Sequence, residues 1–236
     1  MADGSTVTWK GGTEHWTRKG EVKLFLWNKK PAPGTTKRGT IFFVHGSSMA
    51  SQPTFDLYVP NRPFSSAMDW FCAQGFDCWT MDNEGYGRSD KHRQQINDIS
   101  NGADDLAAGS QYILEKSGAK KLLVYGISSG ALKAALFAQR HPGRVARLAL
   151  DAFVWTGEGS PTLDERKKKL PQFLNVHRRP IDRKFVRSIF ERDIPAPPTT
   201  RPSRPSPTRS SPSTTRSPPA RTSTCARSFR SWIRRR

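Results

Sequence analysis

The sequence predicts an α/β fold, a mostly parallel sheet flanked by helices. Three observations carry that expectation. From residue 20 to about 155, short apolar runs alternate with stretches whose apolar residues recur at helical spacing. The runs at 40–44, 76–81, 121–125 and 145–150 are brief and rich in β-branched and aromatic residues, as strands buried on both faces are. Finally, residues 121–150 read as strand, sharp turn, helix and strand, which is a βαβ unit.

Each element has its own warrant. Residues 21–27 form an early strand, and the strand at 40–44 ends at His45-Gly46. Residues 64–74 carry apolar positions at helical spacing and stop at Gly75, a residue suited to the left-handed turn that closes a helix. Residues 104–117 predict a second helix, with Leu106, Tyr112, Ile113 and Leu114 facing a core and Gly118 closing it. After the strand at 121–125 come Gly126-Ile127-Ser128-Ser129-Gly130, an Ala/Leu-rich helix at 131–140 and the strand at 145–150.

The organisation divides into a core at 1–157, a helical cap segment at 158–193 and a tail at 194–236. In the cap segment Lys/Arg clusters alternate with Leu163, Leu170, Phe173, Leu174, Phe185, Val186, Ile189 and Phe190, the pattern of two or three short amphipathic helices. In the tail, Arg, Pro, Ser and Thr make up 35 of 43 residues, too little apolar surface to offset the entropy of ordering, so disorder is expected. Ten arginines and no acid fall there, so over half of the formal charge of +19 lies outside the core and cap. That charge suits nucleic acid or an anionic surface, yet no aromatic platform or nucleic-acid-binding motif accompanies it, and no specific nucleic-acid partner is expected.

Cys72, Cys78 and Cys225 have neither an even count nor a ligand spacing, which argues against a disulfide framework and a zinc site. No metal or cofactor is expected; Gly85-x-Gly87 lacks the third glycine and the helix of a dinucleotide site. With no apolar leader and no run of eighteen apolar residues, the expected location is the cytoplasm, without a membrane span. Nothing in the sequence specifies an oligomeric state.

Chemistry concentrates at Gly126-x-Ser128-x-Gly130. Between a strand and a helix, that spacing suits a nucleophile elbow: the turn strains the serine backbone, and the glycines remove β-carbons that would clash. The alternative is a strand-to-helix turn whose glycines serve only packing. The chain resembles the α/β-hydrolase family over about residues 20–193, through His45-Gly46, the run Asp82-Asn-Glu-Gly-Tyr-Gly-Arg-Ser-Asp90 and the elbow, in family order. The resemblance implies Ser128 as nucleophile. It also implies backbone amides of Ser47, after Gly46, and Ser129 as donors to the oxyanion, each worth roughly 3 kcal/mol to the transition state. His45, Asp82 and Asp90 are read as structural. Serine at the elbow argues against the epoxide hydrolase and dehalogenase branches.

The resemblance leaves the rest of the triad open. Asp151, at the end of the strand at 145–150, is either the acid, a position some relatives use, or a capping residue. Family order requires a histidine after the acid, but only His141, at a helix end, and His177, among the basic helices, follow Ser128. Neither matches the family position. The tail's Arg, Pro, Ser, Thr and Ala are what a GC-rich gene yields out of frame, and the expectation is a frameshift near residue 193 that has replaced the final strands together with the catalytic histidine. The functional expectation is a serine hydrolase that cleaves a small ester or related acyl bond through an acyl-enzyme and is impaired in this chain. The alternatives are an inactive binding protein on the same scaffold and a tail-driven nucleic-acid binder. Phe153 and Trp155 line an acyl pocket or belong to the core.

Overall fold

The computed structural model describes residues 11–59, 61–62, 65–154, 156–174, 176 and 181–191. The tail at 194–236, with its expected disorder and frameshift, lies outside the described residues. Six strands form one sheet: β1 (Thr13–Lys19), β2 (Val22–Lys29), β3 (Gly39–Val44), β4 (Phe76–Met81), β5 (Leu122–Ile127) and β6 (Val145–Asp151), in the order β1-β2-β4-β3-β5-β6. β4, β3, β5 and β6 are mutually parallel, while β2 runs antiparallel to both β1 and β4. The expected strand at 76–81 coincides with β4. The other expected strands recur with ends displaced by one or two residues.

Two strand-side features escaped the sequence reading. β1 is a polar edge, TEHWTRK, turning into β2 at Gly20, which sits at φ 56. Its charged residues mask the period-two alternation that marks a strand. The short helix α1 (Ser51–Phe55) is also new; five residues give no periodic signal.

The helices follow local rules. α2 (Ala67–Ala73) begins later than expected because the Ser66 hydroxyl caps it, accepting from the Asp69 amide at 3.0 Å. α3 (Ile99–Ser117) begins earlier than residue 104, since Asp98 caps the Asn101 amide at 2.7 Å and draws the small residues Gly102 and Ala103 into the helix. It ends at Gly118, φ 66, whose amide returns to the Leu114 carbonyl at 3.0 Å. α4 (Ser129–Arg140) follows directly on Ser128, and α5 (Pro161–Lys168), α6 (Pro171–Leu174) and α7 (Arg183–Glu191) come after β6.

Alternation along the strands builds a core on each face of the sheet. On one face Leu24, Leu26, Phe42, Val44, Trp79, Met81 and Val124 pack beneath Leu106 and Ile113 of α3 and Ala134 and Phe137 of α4. On the other, Phe25, Trp27, Ile41, Phe43 and Tyr125 meet Phe55, Met68 and Phe71 of α1 and α2. Full burial of each large side chain contributes about 1.5–3 kcal/mol. The central strands β3 and β5 are thereby clamped from both sides, and their carboxyl ends form a rigid rim. Among the described residues, the sheet ends at β6.

Candidate active site

β5 ends at Ile127 and α4 begins at Ser129, so Ser128 alone turns the chain. Its backbone lies at φ 57 and ψ −126, a region that costs an L-residue roughly 1–3 kcal/mol. Two hydrogen bonds hold it there: the Ser128 amide donates to the Asp151 carbonyl, and the Ala131 amide donates to the Ser128 carbonyl, each at 2.9 Å.

The neighbouring glycines are set by close packing. A β-carbon on Gly126 would lie 2.5 Å from the Gly130 carbonyl oxygen, and one on Gly130 would lie 2.4 Å from that of His45. The same test on Gly46 meets Ser128: 3.1 Å to its Cβ and 3.6 Å to its Oγ. The serine hydroxyl and the loop after β3 therefore face each other across the rim.

The two expected oxyanion donors, Ser47 and Ser129, directly follow Gly46 and Ser128 in the chain. Ser129 is the first residue of α4, where N–H groups lack intrahelical acceptors and the helix dipole is positive. Ser47 lies exposed in the bend after Gly46, followed by Ser48 at φ 76. The direction of the Ser47 N–H is governed by His45. The buried imidazole accepts at Nε2 from the Asn83 amide at 3.1 Å, which leaves the ring proton on Nδ1 to donate to the Gly46 carbonyl at 2.7 Å. A trans peptide is planar, so fixing the Gly46 C=O fixes the Ser47 N–H opposite to it. Burial, and then the Lys133 ammonium, hold the His45 pKa down at about 4, so the ring is neutral at pH 7.

The loop from Asp82 to Asp90 braces this arrangement. Asp82 Oδ1 accepts from the Ser51 amide and hydroxyl at 2.8 and 2.7 Å, and Oδ2 accepts from the Arg88 amide at 2.9 Å. Asp90 Oδ2 accepts from the Lys23 amide at 2.7 Å. Between them Glu84 is gripped by Arg93, at 2.6 and 2.5 Å, with Asn101 and Lys19 at 3.2 and 3.1 Å, and its pKa falls to about 2.

Asp151 reaches the site through its backbone. Its carboxylate accepts from the Tyr125 hydroxyl at 2.5 Å. Among the described residues no histidine hydrogen-bonds Ser128 or Asp151. His15 bonds Tyr112 near β1, His45 is engaged as above, and His92 is exposed beside Asp90. His141 packs on Phe137 at the far end of α4. His177 and Trp155 lie outside the described residues, and Phe153 is half-buried after β6. No cluster of three or more His, Cys, Asp or Glu able to hold a metal occurs among the described residues, and no helix among them is long and apolar enough to cross a membrane.

Sequence reasoning missed Tyr125, Asn83 and Lys133. Lys133 carried a usable signal: it lies four residues before Phe137, on the buried face of α4. Asn83 and Tyr125 carried none, since their roles arise from contacts distant in sequence.

A family model described as serine aminopeptidase, S33, matches residues 35–236, most of the chain. The chain is an α/β-hydrolase of the S33 serine aminopeptidase family. Lysophospholipase L2 of Escherichia coli K12 is 36% identical over 83 residues, covering 33% of this chain and 24% of that protein. The chain thus matches about a quarter of the length of that curated relative. Among solved structures, a bacterial membrane phospholipase A described as a virulence factor has 22% identity and a TM-score of 0.49, covering 77% of this chain and 58% of the other. A probable hydrolytic enzyme from Pseudomonas aeruginosa PAO1 has 23% identity and a TM-score of 0.44, covering 59% and 40%.

Proposed function

We propose that this α/β-hydrolase cleaves an ester or related acyl bond through an acyl-enzyme on Ser128. The observation that carries the reading is the strained backbone of Ser128 at the β5–α4 junction, facing Gly46. Backbone strain at a lone serine persists only where surrounding structure enforces it, and it supports Ser128 as the nucleophile, with the Ser47 and Ser129 amides as the proposed donors. Attack of Oγ on a bound carbonyl generates an oxyanion between the Ser47 and Ser129 amides. The positive end of α4 stabilises the same charge. Collapse expels the alcohol, and water then releases the acid.

The same proposal makes removal of the Ser128 proton the slow step, since among the described residues no histidine is placed to accept it. Slow turnover follows, with residual catalysis from the oxyanion donors. The lysophospholipase relative makes acyl esters of lipid-like alcohols the first substrates to try. The test is hydrolysis of a p-nitrophenyl ester with and without added imidazole. The reading expects imidazole to raise the rate several-fold, and Ser128→Ala to abolish the imidazole-dependent part. Equal rates in the two proteins count against it.

A second reading, an inactive binding protein on the same scaffold, is favoured by one observation: the Asp151 carboxylate is engaged by Tyr125. That reading expects no imidazole response.

A further inference from the structure

Lys133 is the most buried of the lysines described. It is 2% exposed, on the same helix as the elbow and five residues from Ser128. Its Nζ donates to Asn83 Oδ1 at 3.4 Å and lies 5.4 Å above the Tyr86 ring. Gly102 of α3 makes room for it, since a β-carbon there would meet the Lys133 side chain at 2.5 Å. Burying an ammonium with so few partners is costly, and a fold retains it at a stability penalty.

The partners of Lys133 indicate what that penalty supports. Asn83 accepts from Lys133 through its side chain, and its backbone amide donates to His45 Nε2 at 3.1 Å. His45 Nδ1 then donates to the Gly46 carbonyl at 2.7 Å, and the Tyr86 ring packs at a tilt against the same imidazole, centroids 4.8 Å apart. One chain of contacts therefore runs from the elbow helix through Asn83 and His45 to the peptide unit that carries the Ser47 N–H.

We propose that Lys133 is a positioning residue, a strut that sets the Ser47 amide relative to Ser128 by tying α4 to the loops after β3 and β4. The proposal rests on the acyl-transfer reading for its catalytic consequence, but the strut is testable without it. The charged and titratable groups that act on this cluster are Asp105 of α3 and its capping residue Asp98, Lys19 of β1, and His45 and Asp82. Desolvation brings Lys133 down to about 8, so it is mostly charged at pH 7, and its charge helps keep His45 neutral.

The experiment compares the full chain with Lys133→Met, Lys133→Gln and Lys133→Arg. Histidine-selective NMR follows His45, and the imidazole-assisted acylation burst with a p-nitrophenyl ester follows Ser128. In the Met and Gln variants the His45 pKa should rise from about 4 toward its ordinary value, and acylation should fall at least tenfold in the Met variant. Arginine should restore part of the rate, and glutamine keeps the Asn83 contact should the Met variant fail to fold. An unshifted His45, or acylation within twofold of the parent in the Met variant, overturns the proposal. If the parent shows no acylation, the acyl-transfer reading fails, and the strut is decided by the Ser47 amide resonance, which should shift in the Met variant and stays unmoved if Lys133 does not position it.

Discussion

A β-carbon on Gly46 would lie 3.1 Å from the Cβ of Ser128 and 3.0 Å from the Ile127 carbonyl oxygen. The loop and the elbow are therefore at contact distance, with the space beside the hydroxyl kept open by a missing side chain. Gly46→Ala should push the loop away by a few tenths of an ångström and reduce acylation of Ser128 by about tenfold, a loss of roughly 1.4 kcal/mol. Gly46→Val should abolish it. Stopped-flow acylation alongside a thermal melt checks this, and a melt that falls in parallel with the rate would instead indicate a packing role.

Gly130 responds differently. A methyl group there meets backbone, 2.4 Å from the His45 carbonyl oxygen and 2.5 Å from that of Val44, and neither can rotate away. Gly130→Ala should cost about 1–3 kcal/mol of stability or more, in the range of overpacked cores, read as a lowered urea midpoint with an unchanged m-value.

Acid should weaken the fold in two stages. His45 is held near 4 while the unfolded chain binds the proton near 6.5, so between these values the unfolded state carries more protons. Stability is complete above about 6.5 and is lost as the pH falls toward 4, by about 3 kcal/mol. Glu84, held near 2 chiefly by Arg93, gives a second loss as the pH falls from about 4.5 toward 2. Lys133 acts at the other end: its lowered pKa makes its burial cheaper as the pH rises from about 8 to 10.5. Urea unfolding at pH 7, 5.5 and 4.5 checks the first stage, and a flat profile across that range would contradict a buried neutral His45.

The parallel strands and their helices were legible because burial on both faces leaves short apolar runs, and because caps such as Gly118 mark the ends in sequence. β1 was not, since as an edge it keeps Glu14, Arg18 and Lys19, residues that resemble a loop. The strained turn at Ser128 was legible because backbone geometry restricts the residue types allowed there. The His45-Asn83-Lys133 connection was not, because it depends on side chains brought together from three separate segments. Asp151 shows the limit most clearly: sequence position selected the residue, but whether its carboxylate meets Tyr125 or a histidine is a matter of tertiary contact.

The central claim is that the backbone bends at Ser128 and presents its hydroxyl to the Ser47 and Ser129 amides. The most direct measurement is peptide mass spectrometry after treating the folded chain with a fluorophosphonate in the presence of imidazole. The account predicts a single phosphonyl adduct on Ser128, absent after urea unfolding. An unmodified Ser128, or modification spread over several serines at equal rates, would contradict it.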